Sequence, residues 1–271
     1  MPYQSVFRAD LFKGQTHIVT GGGSGMGRCV AHELTALGAH VALVGRKVEK
    51  LQAVQAEIVE DGGSASMHVA DIREEAQVIA AIEAVLAARG RIDGLVNNAG
   101  GQYRAAMKTI STKGFEAVVR SNLTGGFIFM REAYNRCMQA NGGAIVNVIA
   151  DISNGWPDFA HSGAARGGML TLTETAACEW ACSGVRVNCV APSGIASSGG
   201  ALGETHGTTA APCTLSQNMN GAPRMDSSSL LQYTSGTGTA LPTSDCRAST
   251  CGAAWYGANR PASEPRRKMS S

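Results

Sequence analysis

Residues 18–28 read IVTGGGSGMGR, an apolar strand that runs into a cluster of glycines and then into a helical pattern. A helix that opens directly after a strand turns its free backbone N–H groups, and the positive end of its dipole, toward the connecting loop. Glycines in that loop let a phosphate reach hydrogen-bond distance of the backbone, where side chains would block it. The stretch therefore announces a phosphate-bearing ligand, a dinucleotide above all. Its flanks complete a strand–helix–strand unit. Val30, Leu34 and Leu37 recur at helical spacing, Gly38 stops the helix, and HVALVG at 40–45 supplies the second strand.

The alternation continues to residue 195. Leu51, Val54 and Ile58 mark a second helix closed by Gly62-Gly63, and SASMHVAD (64–71) is a third strand. Val78, Ile82 and Val85 mark a third helix stopped by Gly90, and IDGLVNNAG (92–100) is a fourth strand that leaves into a loop. A long helix over about 113–139 precedes AIVNVIA (144–150), and a further helix over about 162–182 precedes VRVNCVAP (185–192). Near-continuous apolar strands separated by helices imply an α/β fold, a doubly wound parallel sheet of Rossmann type covered on both faces. Ligands of such sheets bind beyond the carboxyl ends of the strands, where the strand order reverses. All the candidate motifs fall at those ends.

Bulk properties exclude other classes. With 271 residues there is chain enough for one large α/β domain. A formal net charge of +2 gives no electrostatic case for nucleic acid or an anionic membrane, and the one dense basic run, Arg266-Arg267-Lys268, reads as solvated tail. No apolar stretch approaches a membrane span, and the first residues make no targeting segment. The eight cysteines form no CxxC pair. Cys178 and Cys182 share a helix face and read as small buried thiols, not as a metal site, so no metal is expected and a reduced, cytoplasmic setting is.

The motifs together resemble the short-chain dehydrogenase/reductase family over about residues 14–199. Thr20-Gly21-Gly22-Gly23-Ser24-Gly25-Met26-Gly27 is similar to the family's TGxxxGxG cofactor turn, and Asn97-Asn98-Ala99-Gly100 to its NNAG motif. The resemblance implies that Asp71 and Ile72, at the end of the third strand, lie beside an adenine. It implies that Asn122 is the helix asparagine holding an active-site water, and that Pro192 and Ile195, in a segment where Ser193 replaces the usual glycine, meet the nicotinamide. Read alone, Asp71 is also a reasonable helix cap, and Asn122 a residue that caps or kinks its helix beside Gly125-Gly126. The family is usually homotetrameric.

Two positions carry the functional expectation. The second strand ends Val44-Gly45-Arg46-Lys47 without the acid that would hold a ribose 2′-hydroxyl, and Arg46 can grip a 2′-phosphate with paired hydrogen bonds, so NADP(H) is the expected cofactor. An ordinary solvated turn charge is the alternative for Arg46. The family's YxxxK signature is absent. Its segment reads His161-Ser162-Gly163-Ala164-Ala165-Arg166, with Ser162 in the tyrosine's place and Arg166 in the lysine's, and the family serine falls at Ala150 or Asp151. Serine is too weak an acid to replace a phenol, and arginine stays protonated.

HSGAAR, followed by Glu179-Trp180-Ala181-Cys182-Ser183-Gly184, is similar to peroxisomal trans-2-enoyl-CoA reductases and bacterial relatives, some linked to terpenol oxidation; 2,4-dienoyl-CoA reductases likewise lack the tyrosine. The resemblance implies reduction of a C=C bond conjugated to a thioester, whose enolate needs electrostatic stabilisation more than a strong local acid. Asn122, Ser162 and Arg166 are the expected catalytic residues, with His161 a possible proton donor or a packed histidine. The tyrosine and lysine that the enoyl branch carries further along the helix are Leu170 and Glu174 here. The alternatives are an alcohol or ketone oxidoreductase, or a nucleotide-binding protein without turnover. The small-molecule substrate is accordingly an acyl thioester, an alcohol or a ketone.

The resemblance ends near Gly199-Gly200, which divides the chain into a nucleotide-binding domain, 1–199, and a tail, 200–271. After Ile195 there is no further Val, Ile or Phe. So little apolar surface cannot offset the entropy of ordering the segment, and disorder is expected. The family's substrate-binding helices and seventh strand are not recognisable there. A reading-frame change near residue 200 is the expected cause, a genuine disordered extension on a shortened enzyme the alternative, and without a seventh strand the sixth is expected to be a sheet edge.

Overall fold

The computed structural model describes residues 5–153, 155–192 and 195. The expectations for 200–271, for Ser193 and for a seventh strand lie outside the described residues. β1 (Thr16–Thr20), α1 (Gly25–Ala36), β2 (His40–Gly45), α2 (Val48–Glu60), β3 (Ser64–Val69), α3 (Glu75–Arg89) and β4 (Gly94–Asn97) follow one another as read from the sequence. They are followed by α4 (Thr112–Val119), α5 (Gly125–Ala133), α6 (Gln139–Asn141), β5 (Gly143–Val148), α7 (Ala160–Trp180) and β6 (Val185–Val190). The strands form one parallel sheet in the order β3-β2-β1-β4-β5-β6, with β6 at the edge among the described residues. No helix among them is long and apolar enough to cross a membrane.

Period-two alternation in the strands builds a core on each face. Ile18, Ala42 and Val44 pack with Val78 and Ile82 of α3, Phe129 of α5 and Met169 of α7. Their neighbours Val19, Val41 and Leu43 turn to the other face, against Leu51, Val54 and Ile58 of α2. Progress outward from β1 to β3 then reverses, because the crossover through α3 returns the chain to β4 on the other side of β1. The carboxyl ends of β1 and β4 therefore diverge into two loops, 21–24 and 98–102, with a crevice between them. Behind the crevice a buried hydrogen-bond chain ties three elements. Asn97 Nδ2 donates to Asn147 Oδ1 (2.9 Å), and Asn147 Nδ2 donates to Thr173 Oγ1 (2.9 Å).

The expected helix over 113–139 is not continuous. Wider π turns at Arg120–Thr124 and Tyr134–Met138 separate α4, α5 and α6. The first carries Asn122, whose Nδ2 donates to Val118 O four residues back (3.0 Å). β3 and β4 are shorter than their apolar runs because the chain leaves each strand early to form the crevice wall. The cysteine expectation is corrected: among the described residues Cys178 and Cys29 are exposed, while Cys137 and Cys189 are buried. At the helix pitch Cys178 lies on the solvent side of the stripe formed by Met169, Thr173 and Ala176.

Histidines inside this sheet make it acid-sensitive. His40, at the start of β2, hydrogen-bonds Ser64 Oγ (2.7 Å) and Ser66 Oγ (3.1 Å) of β3. Burial first, then the charges of Arg89 and His68, pushes it down to about 4. His17 and His68 are also pushed down by burial. The folded chain thus keeps these rings neutral at a pH where the unfolded chain, titrating near 6.5, takes up protons. Stability is fully present above pH 6.5 and is lost as the pH falls toward 4. Melting temperatures measured across that window should fall with acid, and His40→Gln should flatten the slope.

Candidate functional site

The crevice opens into a cleft of about 930 Å³. At one end the turn after β1 brings the chain into α1. Gly21 has φ +69°, and Ser24, the residue before the helix, makes no side-chain cap bond, so the first N–H groups of α1 stay free to meet an anion. Gly27 is needed for a different reason: a Cβ there would collide with Gly21 O and Asn98 Nδ2. Thr20 ties the two loops together, its Oγ1 accepting from the backbone N–H groups of Asn98 and Ala99 (both 3.0 Å), while Asn98 Nδ2 donates to Thr20 O (3.0 Å). The predicted cofactor residues come together here. Gly21, Gly23, Ser24, Gly25, Met26, Arg46, Asp71, Ile72, Asn98, Ala99, Gly100, Pro192 and Ile195 all line the cleft, and Gly27 packs beneath it.

The end beside Asp71 is rich in positive charge. Arg46, Lys47, Lys50 and Arg73 line it, against the one carboxylate of Asp71. That carboxylate is clamped by Arg73, whose Nε and Nη2 donate at 2.9 and 2.5 Å. The Arg73 side chain, its backbone N–H and the more distant charge of Arg46 hold Asp71 down at about 2. Arg46 itself makes no ion pair among the described residues.

At the other end the predicted catalytic residues separate. Arg166, on α7, lines the cleft; Asn122, Ser162 and His161 do not. The Arg166 guanidinium is almost entirely enclosed. Nη1 donates to Val148 O (2.7 Å), Nε is buried without a hydrogen-bond partner, and no carboxylate pairs with it among the described residues. Burial alone lowers it to about 10, so it remains a cation at neutral pH. Nη2 and Asn122 Oδ1 occupy the space that a Cβ at Gly100 would need.

Asn122 is the residue that the family resemblance expects to hold an active-site water. Instead its Nδ2 donates to Gly101 O (2.6 Å) and Val118 O (3.0 Å), and its Oδ1 accepts from Gly101 N (3.2 Å). The amide is spent on bracing the loop after β4. Ser162 is fully enclosed and donates to Gln102 Oε1 (2.6 Å), so it does not face the cleft itself. His161 is also fully enclosed. Its Nδ1 accepts from Ser162 N–H (2.8 Å), which places its proton on Nε2, and its ring meets Tyr103 edge to face at 4.5 Å. Asp151, which shares the family serine's place with Ala150, lines the cleft and accepts from Ser153 Oγ (2.7 Å); that bond and the Ser153 N–H lower it. Leu170 packs against the core and Glu174 is exposed.

Near Arg166 the wall also holds Trp156, Phe159 and Gln102, which were not anticipated. Trp156 and Phe159, with ring centroids 5.1 Å apart, form an apolar side, and Gln102 presents an amide. An aromatic pair in a chain with only 5% aromatic residues was a signal that sequence alone contained. Gln102 was marked only by following Gly101 directly at the end of the NNAG loop.

The family model for short chain dehydrogenases matches residues 15–202. Among solved structures, a citronellol catabolism dehydrogenase of Pseudomonas aeruginosa is 59% identical, with a TM-score of 0.70 over 72% of this chain and 80% of that one. A peroxisomal 2,4-dienoyl-CoA reductase of Danio rerio is 32% identical over 77% of this chain and 71% of its own length. A probable 2,4-dienoyl-CoA reductase of Bacillus subtilis is 35% identical over 68% and 74%. A match of that extent, on a sheet whose order reverses at a glycine turn, makes this chain a member of the short-chain dehydrogenase/reductase family, similar to its dienoyl-CoA reductase branch.

Proposed function

We propose that the chain is an NADP(H)-dependent oxidoreductase that reduces a C=C bond conjugated to an acyl thioester. The observation that carries this reading is the set of titratable groups on the cleft wall. Among the described residues the cleft is lined by no phenol, imidazole or thiol, and its two carboxylates, Asp71 and Asp151, are both held ionised. The described wall thus offers neither the phenol nor an imidazole that would serve as general acid in carbonyl reduction. Reduction of an enoyl thioester asks for less. Charge gathers on the thioester oxygen, where a buried cation stabilises it, and water can protonate the α-carbon afterwards. Arg166 is such a cation, and Trp156 and Phe159 give an acyl chain an apolar wall.

The residues present fit a dinucleotide. The free N–H groups at the start of α1 would take the pyrophosphate, Asp71 and Ile72 would flank the adenine, Arg46 would meet the 2′-phosphate, and Arg166 the nicotinamide ribose. The bound nicotinamide supplies hydride chemistry. The chain's own contribution is to position it, to keep positive potential at Arg166 and to narrow access of water with the aromatic pair. An alcohol oxidoreductase is the second reading, favoured by the 59% identity to the citronellol catabolism dehydrogenase. Measuring NADPH oxidation with crotonyl-CoA beside a panel of ketones separates the two. Turnover of the thioester is expected, and activity confined to ketones would overturn the first reading.

A further inference from the structure

We infer that Gln102 replaces the missing phenol as the hydrogen-bond donor to the substrate carbonyl oxygen, held in place by Ser162 and Asn122. This rests on the enoyl-thioester reading. Gln102 lines the cleft in the loop that leaves β4, two residues beyond Gly100, where a Cβ would run into Arg166 Nη2. The Ser162 hydroxyl donates to its Oε1 at 2.6 Å. A carboxamide whose oxygen is taken in this way has both N–H groups left to donate, and among the described residues neither has an acceptor. Gln102 therefore gives the cleft two neutral donors beside the Arg166 cation.

The supporting groups make those donors rigid. Gly101, the preceding residue, has both its N–H and its C=O bonded to the Asn122 side chain (3.2 and 2.6 Å). Ser162 is in turn fixed by full burial and by its own N–H, which donates to His161 Nδ1. Donors that need no rearrangement are the kind that stabilise developing charge well. The two residues standing where the family keeps catalytic side chains thus act here as positioning residues for a third. When hydride is added to the β-carbon of the enoyl thioester, the C=C electron pair moves toward the carbonyl oxygen. The thioester C–S bond stays intact, and the α-carbon takes its proton from water. Two electrons leave the dihydronicotinamide and two enter the substrate. The Gln102 N–H groups bond the oxygen that becomes negative.

The test uses the full chain, with NADPH and NADP⁺ as cofactors. Gln102→Glu keeps the shape and removes the donors, and Gln102→Ala removes both. Each should lower kcat with crotonyl-CoA about 10²-fold, with the Kd for NADPH within about threefold of wild type. Ser162→Ala should lower kcat about tenfold, and nothing further when added to Gln102→Ala, because the hydroxyl acts through the amide. As a readout besides turnover, 3-oxobutyryl-CoA, whose enolate carries charge on the same oxygen, should bind NADP⁺-loaded Gln102→Ala at least tenfold more weakly than wild type. Wild-type protein that turns over only ketones removes the thioester reading, while a kcat loss at Gln102 with those ketones preserves the donor role. Unchanged kcat and unchanged 3-oxobutyryl-CoA binding in both Gln102 variants, or independent effects of Ser162 and Gln102, overturn the proposal.

Discussion

Arg166→Met should lose activity by roughly 10²- to 10³-fold in kcat while melting no lower than wild type. The side chain is an enclosed cation with a single acceptor among the described residues, Val148 O, and an unsatisfied Nε. A buried charge without a counter-ion is costly to the folded state, and desolvation accordingly pulls Arg166 down to about 10. Methionine fills similar volume without the charge, so what the fold loses is one hydrogen bond and what it gains is relief from desolvation. Positive potential beside the reacting carbonyl disappears, and with it the stabilisation of the enolate. Contact with the nicotinamide ribose should go as well, raising the Kd for NADPH about tenfold, or about 1.4 kcal/mol. Arg166→Lys should recover part of kcat, since it restores charge without the planar fork. Calorimetric melting and steady-state kinetics on the same samples decide the matter. Near-normal turnover in Arg166→Met, or a large fall in melting temperature with kcat per folded molecule unchanged, would remove Arg166 from the site.

The fold was legible because parallel strands buried on both faces leave apolar runs that hardly overlap with the helix period. Strand β1, the glycine turn and α1 stand almost residue for residue where the pattern puts them. Gly38 and Gly90 end their helices with φ of +91° and +78°, as their positions suggest. What the pattern does not contain is the internal width of a helix. The α4–α6 stretch keeps one apolar stripe through two π turns, and only the short polar Asn122 beside Gly125-Gly126 hints that an extra residue is accommodated.

For the site, local motifs located the glycine-turn end of the cleft, while the contacts at the Arg166 end were not legible. The glycine turn, Asp71 and the NNAG loop are each contiguous with a strand end, so knowing the strand places the residue. The reacting end depends on contacts across long stretches of chain. Ser162 meets Gln102 over a separation of 60 residues, and Asn122 meets Gly101 over 21. No spacing rule covers such pairs. The same holds for the direction in which a polar side chain spends its hydrogen bonds. Asn122 and Ser162 are present as read, yet their donors point into the protein, which shifts the chemistry to a glutamine that carries no motif.

Arg46→Asp is the sharpest test of the cofactor end. Arg46 follows directly on β2, lines the cleft with Lys47 and Lys50, and forms no ion pair among the described residues. The one carboxylate near it, Asp71, is already occupied by Arg73, so the Arg46 guanidinium is not consumed inside the protein. A free fork among lysines suits the dianionic 2′-phosphate of NADPH and gives nothing particular to the 2′-hydroxyl of NADH. Aspartate reverses both terms: it removes the bidentate contact and adds repulsion toward the phosphate, while it can accept from a hydroxyl. The loss for NADPH should be about 2–4 kcal/mol, roughly 30- to 700-fold in Kd, with NADH unchanged or slightly tighter. Raising the ionic strength should erode the wild-type preference for NADPH and relax the variant's discrimination against it, because attraction and repulsion between exposed charges are both screened. Titrating both reduced dinucleotides into both proteins at low and high salt measures all of this. Equal changes for NADPH and NADH would show that Arg46 is only a solvated turn residue, and the preference for NADP(H) would have to be withdrawn.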